Sequence, residues 1–369
     1  MKVIKNSTPK QDGFRMPGEF EPQDAVYMLW PYRGDNWHSG AKKAQWNFCE
    51  VAHAINKFTP VTMCVIKEQY QNAKAMLGDD IRVVEIASND AWMRDIGPTF
   101  VVNDKGERRM VDWDFNAWGG LVDGLYFPWD QDTLVPTKIG EMDGFDSYRT
   151  EGFVLEGGSI HVDGEGTLLV TEECLLSEGR NPHMSKEEIE NMLIEYLNVE
   201  KIIWLDKGID PEETNGHVDD IACFIRPGEV LVLSTDDKEN EFYDICQDAY
   251  KRLSEAVDAK GRKFKIHKMP LPEKYVKFTQ EEADNTDTVE GTLPREAGEL
   301  CPATYVNYLV TNNGIILPQF GDVNDKVAVE ILQGLYPEKE IVGVHTRTIV
   351  LGGGNIHCIT QQRPVSLKK

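Results

Sequence analysis

Cys358 stands directly after Leu351-Gly-Gly-Gly-Asn-Ile-His357. Three glycines in a row remove side chains and permit backbone shapes that bring another group close to the main chain. A partial twin lies upstream, Leu155-Glu-Gly-Gly-Ser-Ile-His161, with Glu156 where the later copy has Gly352. One copy of the unit thus carries a thiol and the other a carboxylate. Two further reactive stretches are Trp92-Met-Arg-Asp-Ile-Gly-Pro98 and Asn215-Gly-His-Val-Asp-Asp220. Asp95 precedes Glu156 by 61 residues, and Glu156 precedes His217 by another 61.

A thiol attacks only as thiolate, which a neighbouring imidazole or a cationic ligand favours. An imidazole can carry a proton to a leaving group. Several carboxylates beside them would repel an oxyanion but match a planar cation. Guanidinium presents a fork of N–H donors that carboxylates accept in pairs. The set Cys358, His217, Glu156, Asp95 and Asp219 therefore points to attack on a guanidinium carbon. Each residue also has a plainer reading: Cys358 as a small core side chain, His217 as a structural histidine, the acids as surface charges. Trp92, Trp113 and Trp118 either pack the core or wall a pocket against water. The His-Val-Asp triplets at 161–163 and 217–219 fit no standard zinc spacing, so no metal is expected.

Composition bounds the alternatives. The 369 residues carry 39 Lys+Arg against 62 Asp+Glu, a net charge of −23. Such a chain is poorly suited to nucleic acid or an anionic membrane, and better suited to a small cation. Seven scattered cysteines without a CxxC pair make neither a disulfide framework nor a zinc motif. With no signal-like segment and no apolar run of about 18 residues, a soluble, cytoplasmic protein is expected.

The reactive residues need a repeated frame to meet. Hairpin patterns recur at Pro98–Trp113, Ser159–Thr171, Ile221–Ser234 and Tyr305–Pro318, each around an Asn, Asp, Pro or Gly turn. Helical patterns cover Lys43–Phe58, Ser185–Leu197, Asn240–Val257 and Asn324–Leu335. Single strands are expected at Arg82–Ile86, Lys201–Leu205, Phe264–Met269 and Ile341–Ile349. A fifth hairpin requires Asn355–Thr360 to pair with Ala25–Trp30, joining the two ends of the chain. The polar stretch Glu281–Gly298 reads as a long loop. The expected architecture is α/β, one domain over residues 1–369, with equivalent positions of repeated units converging on a central pocket.

Together the four reactive motifs, and Asp12-Gly-Phe-Arg-Met-Pro-Gly-Glu-Phe20 near the start, resemble the agmatine deiminases of the guanidino-group-modifying superfamily. The resemblance covers essentially the whole chain. It implies the pentein fold, a five-bladed α/β propeller with pseudo-fivefold symmetry whose last blade is closed by N- and C-terminal strands. It implies Cys358 as nucleophile, His217 as general acid/base, Glu156 as proton holder at the guanidinium, Asp95 and Asp219 as its grip, and Trp92 lining the site. It further implies agmatine as substrate, a homo-oligomer, a route from agmatine to putrescine, and no cofactor.

Substrate contacts are also expected from Trp113 and Gly353, and the distal amine of agmatine from Glu213, with Glu212 beside it. Arginine deiminase or dimethylarginine hydrolase chemistry remains open on the same residues, since Arg94 or Arg180 could meet a substrate carboxylate. A non-catalytic propeller or an ordinary Cys–His hydrolase are the other readings; the latter would need oxyanion donors.

Overall fold

The computed structural model of the chain describes residues 1–209 and 213–366. All four expected hairpins form: Thr99–Asn103 with Arg108–Asp114, His161–Val162 with Thr167–Thr171, Ala222–Arg226 with Glu229–Ser234, and Leu309–Val310 with Gly314–Gln319. Gly106 and Gly228, at φ 73° and 78°, supply the left-handed backbone that two of these tight turns require.

The second strand of each hairpin is then flanked by a parallel strand that returns through a helix. Val135–Asp143, Lys186–Leu197, Tyr243–Glu255 and Asn324–Leu335 are those helices, and Ser147–Val154, Lys201–Leu205, Lys265–Pro270 and Glu340–His345 the returning strands. A fifth sheet joins the chain ends. Thr360–Pro364 runs antiparallel to Gln23–Leu29, the helix Lys42–Asn56 follows, and Val61–Val65 comes back parallel. The described residues thus hold five small sheets built on one plan. Pairing both termini inside a sheet leaves fewer free edges.

Local chemistry explains the helices. Ser185 accepts from the Glu188 N–H and Glu188 reaches back to Ser185, the expected capping box, so Lys186–Leu197 starts where predicted and buries Ile189, Leu193 and Leu197. The helix Val135–Asp143 is not among the expected ones. Pro136 and Gly140 weaken its pattern, yet Pro is tolerated in the first turn.

Three expectations are corrected. The strand expected at Ile341–Ile349 ends at His345, and Arg347–Val350 forms a helical turn with the Arg347 guanidinium on Glu282. The C-terminal strand begins at Thr360 instead of Asn355, because His357 and Cys358 are tied to the centre of the molecule by other partners. Within the expected loop Glu281–Gly298, residues Gln280–Asp284 are helical behind a Thr279–Glu282 capping box.

Candidate active site

The irregular segments entering the hairpins carry the candidate side chains. Asp95 sits on the turn Met93–Ile96 ahead of the first hairpin. Glu156 directly precedes the turn Gly157–Ser159, and His217 the turn Val218–Asp220. Cys358 ends the segment before Thr360–Pro364. The Arg94 N–H donates to the Cys358 carbonyl at 3.0 Å, tying the first and last units together.

These residues converge. His217 Nδ1 lies 3.8 Å from Asp95 Oδ2, and His217 Nε2 lies 3.8 Å from Glu156 Oε2. Asp219 Oδ2 lies 3.7 Å from the Cys358 sulfur, placed to accept its S–H. All five side chains are buried, none more than 5% exposed. Asp95 is fixed by the Gly158 N–H at 2.8 Å and the Trp118 indole N–H at 2.9 Å. Glu156 is anchored through one oxygen only, with Arg180 Nε donating to Oε1 at 2.7 Å. Glu156 Oε2, His217 Nε2 and Asp219 Oδ1 are buried without a hydrogen-bond partner. Unpaired polar atoms at full burial are costly, and here three of them belong to the same group of residues.

Charge accounts for the proton states. Burial opposes an imidazolium at His217, but Asp95, Cys174 and Glu156 outweigh it and raise its pKa well above the ordinary value. Burial raises Glu156 too, yet Arg180 and His217 pull it below the usual carboxylate range. Burial works the same way on Asp219, and His357 outweighs it and holds that acid down. Asp95 moves the other way, raised chiefly by burial. The Cys358 thiol is pushed far up by burial and then by Asp219, Asp220 and Asp95. The acids around Cys358 thus favour its neutral thiol, and a cation placed among them would favour the thiolate.

Trp92 stacks on Trp37, with centroids 5.0 Å apart, and donates to Asp90. A Cβ on Gly354 would stand 2.7 Å from the Trp92 ring and 3.1 Å from the Cys358 sulfur, so Trp92 borders Cys358 and Gly354 must lack a side chain. Trp113 is placed elsewhere. Its indole N–H bonds Thr99, and its ring packs on Phe153 and Tyr196 in the core, because its strand position faces that layer. Trp118 donates its indole N–H to Asp95 and lines the cavity beside it.

Glu213 pairs with Arg295, whose Nη2 donates to Oε2 at 3.1 Å. Gly353, at φ 106°, faces that carboxylate directly; a Cβ there would collide with Glu213 Oε2. Glu212 lies outside the described residues. A cavity bounded by Arg33, Asp35, Asp90, Arg295 and Gly352 borders the cluster through Trp92 and Trp118. Arg94 and Arg180 are buried beneath the cluster, bonded to His357 O and Gln361 and to Glu156, Asn215 and Thr214 respectively.

Asn307 belongs to the site although its spacing did not mark it. Its Nδ2 reaches Asp220 Oδ1 at 3.0 Å and the Cys358 sulfur at 3.1 Å, and its Oδ1 accepts the His357 N–H at 2.9 Å. The signal was its place before the fourth hairpin, equivalent to Asp95 before the first. Three sets of ligating atoms lie within 4.8 Å: Glu19, His161 and His357; Glu156, Cys174 and His217; Asp219, Asp220 and Cys358. Within each set, acids face an imidazole or a thiol, which is reason enough for their closeness.

Residues 15–364 match the Porphyromonas-type peptidyl-arginine deiminase family. An agmatine deiminase from Pseudomonas aeruginosa (strain LESB58) is 56% identical over 363 residues, 98% of each chain. The chain belongs to the agmatine deiminase family. A solved agmatine deiminase of Enterococcus faecalis is 60% identical and superimposes with a TM-score of 0.98 over 100% of both chains. That of Campylobacter jejuni, 25% identical, gives 0.80 over 96% of this chain and 98% of its own. The agmatine deiminase family has the α/β pentein fold, in agreement with the five sheets built on one plan.

Proposed function

We propose that this deiminase hydrolyses agmatine to N-carbamoylputrescine and ammonia through a covalent amidino-thioether on Cys358. The observation that carries the proposal is the free oxygen on each of two anchored acids, Glu156 Oε2 and Asp219 Oδ1, beside a thiol and an imidazolium. Guanidinium N–H groups would satisfy those oxygens, and the cation would offset the charge that holds the thiol protonated.

In the first half-reaction the S–H proton leaves through Asp219 and the thiolate attacks the guanidinium carbon. The adduct is neutral at its amino groups, so no oxyanion hole is needed. His217 gives its proton to the departing nitrogen, and ammonia leaves with the C–N electron pair. In the second half, neutral His217 takes a proton from water as its oxygen attacks the same carbon. Collapse breaks the C–S bond, Asp219 returns its proton to the sulfur, the adduct's hydroxyl proton passes to solvent where ammonia takes it up, and the ureido product is released. Glu156 orients both proton transfers, Asp95 and Asp219 hold the guanidinium, and Trp92 shields the carbon from bulk water. No step needs a metal or organic cofactor.

The alkyl chain then runs toward the cavity, where the distal amine meets acids of its wall, Asp90 among them, since Glu213 beside Gly353, expected for this contact, already pairs with Arg295. Arg33 and Arg295 in that wall are already ion-paired, with Asp35 and Glu213. A substrate carboxylate would have to displace one of those pairs, which favours agmatine over arginine. We further place the reaction on a route to putrescine in the cytoplasm, and the protein as a homo-oligomer of one catalytic unit per chain, its five sheets ringed as propeller blades. No described helix is long and apolar enough to cross a membrane.

The test is a quench experiment. Protein incubated with agmatine and stopped in acid should carry an amidino mass increment on the Cys358 peptide, with ureido product in solution. Product formed at near-normal rate by Cys358→Ser would sink the assignment.

A further inference from the structure

We propose that Glu19 and His357 are positioning residues for the reaction, a carboxylate–imidazole link that fixes Asp219 against Cys358. The inference rests on the proposed role of Asp219 in holding a guanidinium. Glu19 Oε2 lies 2.8 Å from His357 Nε2, and His357 Nδ1 lies 2.7 Å from Asp219 Oδ2. Asp219 Oδ2 is in turn the oxygen 3.7 Å from the Cys358 sulfur. Every member is buried, between 2% and 6% exposed. Glu19 is itself fixed, since its Oε1 accepts the Val310 N–H at 2.7 Å.

The geometry dictates the charge. Ionised carboxylates only accept, so a ring with a carboxylate on each nitrogen must donate from both. His357 is therefore an imidazolium. The groups facing it agree. Burial and the Arg94 guanidinium oppose its charge, but Glu19 and Asp219 outweigh them and raise its pKa. Burial also raises Glu19, yet His357, Arg94 and His161 bring it down to about 2. His161, stacked near His357 with centroids 6.2 Å apart, is pushed down to about 4 by burial and stays neutral. Cys223 and Tyr308 line a small cavity together with Glu19, His161, Asp219 and His357, and the Cys223 thiol lies 3.3 Å from the Tyr308 hydroxyl.

The arrangement repeats that of Glu156 with Arg180. A buried cation anchors one oxygen of Asp219 and leaves Oδ1 unpaired. Glu19, from the N-terminal segment, is what keeps that cation charged. Its removal should thus be felt 200 residues along the chain, at the Asp219 grip on the substrate.

Glu19→Gln keeps the shape and an accepting oxygen but removes the charge. Steady-state rates with agmatine are measured across pH for wild type, Glu19→Gln and Glu19→Asp, with thermal unfolding as the control. In Glu19→Gln the KM should rise about tenfold or more, with kcat less affected. His357 loses its proton earlier without the Glu19 charge, so the alkaline limb moves down. Glu19→Asp should restore part of both. A folded Glu19→Gln with wild-type KM and alkaline limb overturns the proposal. So does equal loss in Gln and Asp variants with an unmoved alkaline limb, which would mean packing alone. If Glu19→Gln does not fold, His357→Gln, which removes the cation itself, is read on KM: a rise of about tenfold or more is expected, and a wild-type KM overturns the proposal. Lack of ureido product from wild type would instead overturn the deiminase reading itself.

Discussion

A Cβ placed on Gly158 would stand 2.6 Å from His217 Nδ1. The same atom would lie 2.9 Å from Asp95 Oδ1 and 3.1 Å from Asp219 Oδ2, so one missing methyl keeps three reactive groups in reach of each other. Gly158 also donates its N–H to Asp95. Gly158→Ala must move the imidazole or the acids. Misplacement of that size costs about 100-fold in rate, so kcat/KM should fall by that order while far-UV circular dichroism stays native. A variant with wild-type turnover would show the cluster to be unimportant.

Asn307 is the only uncharged side chain described as donating to the Cys358 sulfur, at 3.1 Å. A donor stabilises the thiolate, against burial and three nearby acids that disfavour it. Asn307→Ala removes the donor, and Asn307→Asp puts a further acid in its place. Alkylation of Cys358 by iodoacetamide should shift to higher pH in both, further in Asp. An unchanged or lower midpoint would mean that the amide only braces the His357 backbone.

Much of this centre is legible in the sequence. Asp95, Glu156 and His217 occupy one structural position in successive repeats, so equal spacing in the chain becomes closeness at the centre. Cys358 stands out through glycines that have a physical reason: Gly352, Gly353 and Gly354 abut Trp37, Glu213 and the Trp92–Cys358 contact. What spacing cannot carry is the identity of partners. Asn307 looks like an ordinary turn residue. Trp113 could face either side of its strand on pattern alone. Glu213 looks free because Arg295, which takes its charge, lies 82 residues on. The short strand before His345 and the late start at Thr360 reflect long-range bonds that override local β preference.

Arg180 anchors Glu156 with both side chains at 0% exposure. Arg180→Met leaves a buried carboxylate without its counter-charge, which costs about 3–5 kcal/mol. The loss should appear in urea unfolding at neutral pH. Glu156 sits below its ordinary 4.5 in the fold. Its contribution is therefore present above about pH 4.5 and fades as the pH falls through its native value. Wild type and variant should converge in acid. A constant gap across that window would assign the loss to packing.

Trp118 offers the finest control over proton state. Its indole N–H meets Asp95 Oδ2 at 2.9 Å, while its ring packs edge-on against Phe115 and Tyr126. Trp118→Phe keeps an aromatic ring and deletes only the donor. Asp95 must be ionised to hold a guanidinium. Burial already raises it above its ordinary 3.8, whereas Glu156 and Asp219 lie below theirs. The acid limb of kcat/KM should thus report Asp95. A hydrogen bond to the ionised form favours it, so its loss raises the pKa and moves that limb to higher pH. The alkaline limb, set elsewhere, should stay. If the acid limb holds still in Trp118→Phe, then Asp95 is not the group that limits activity in acid.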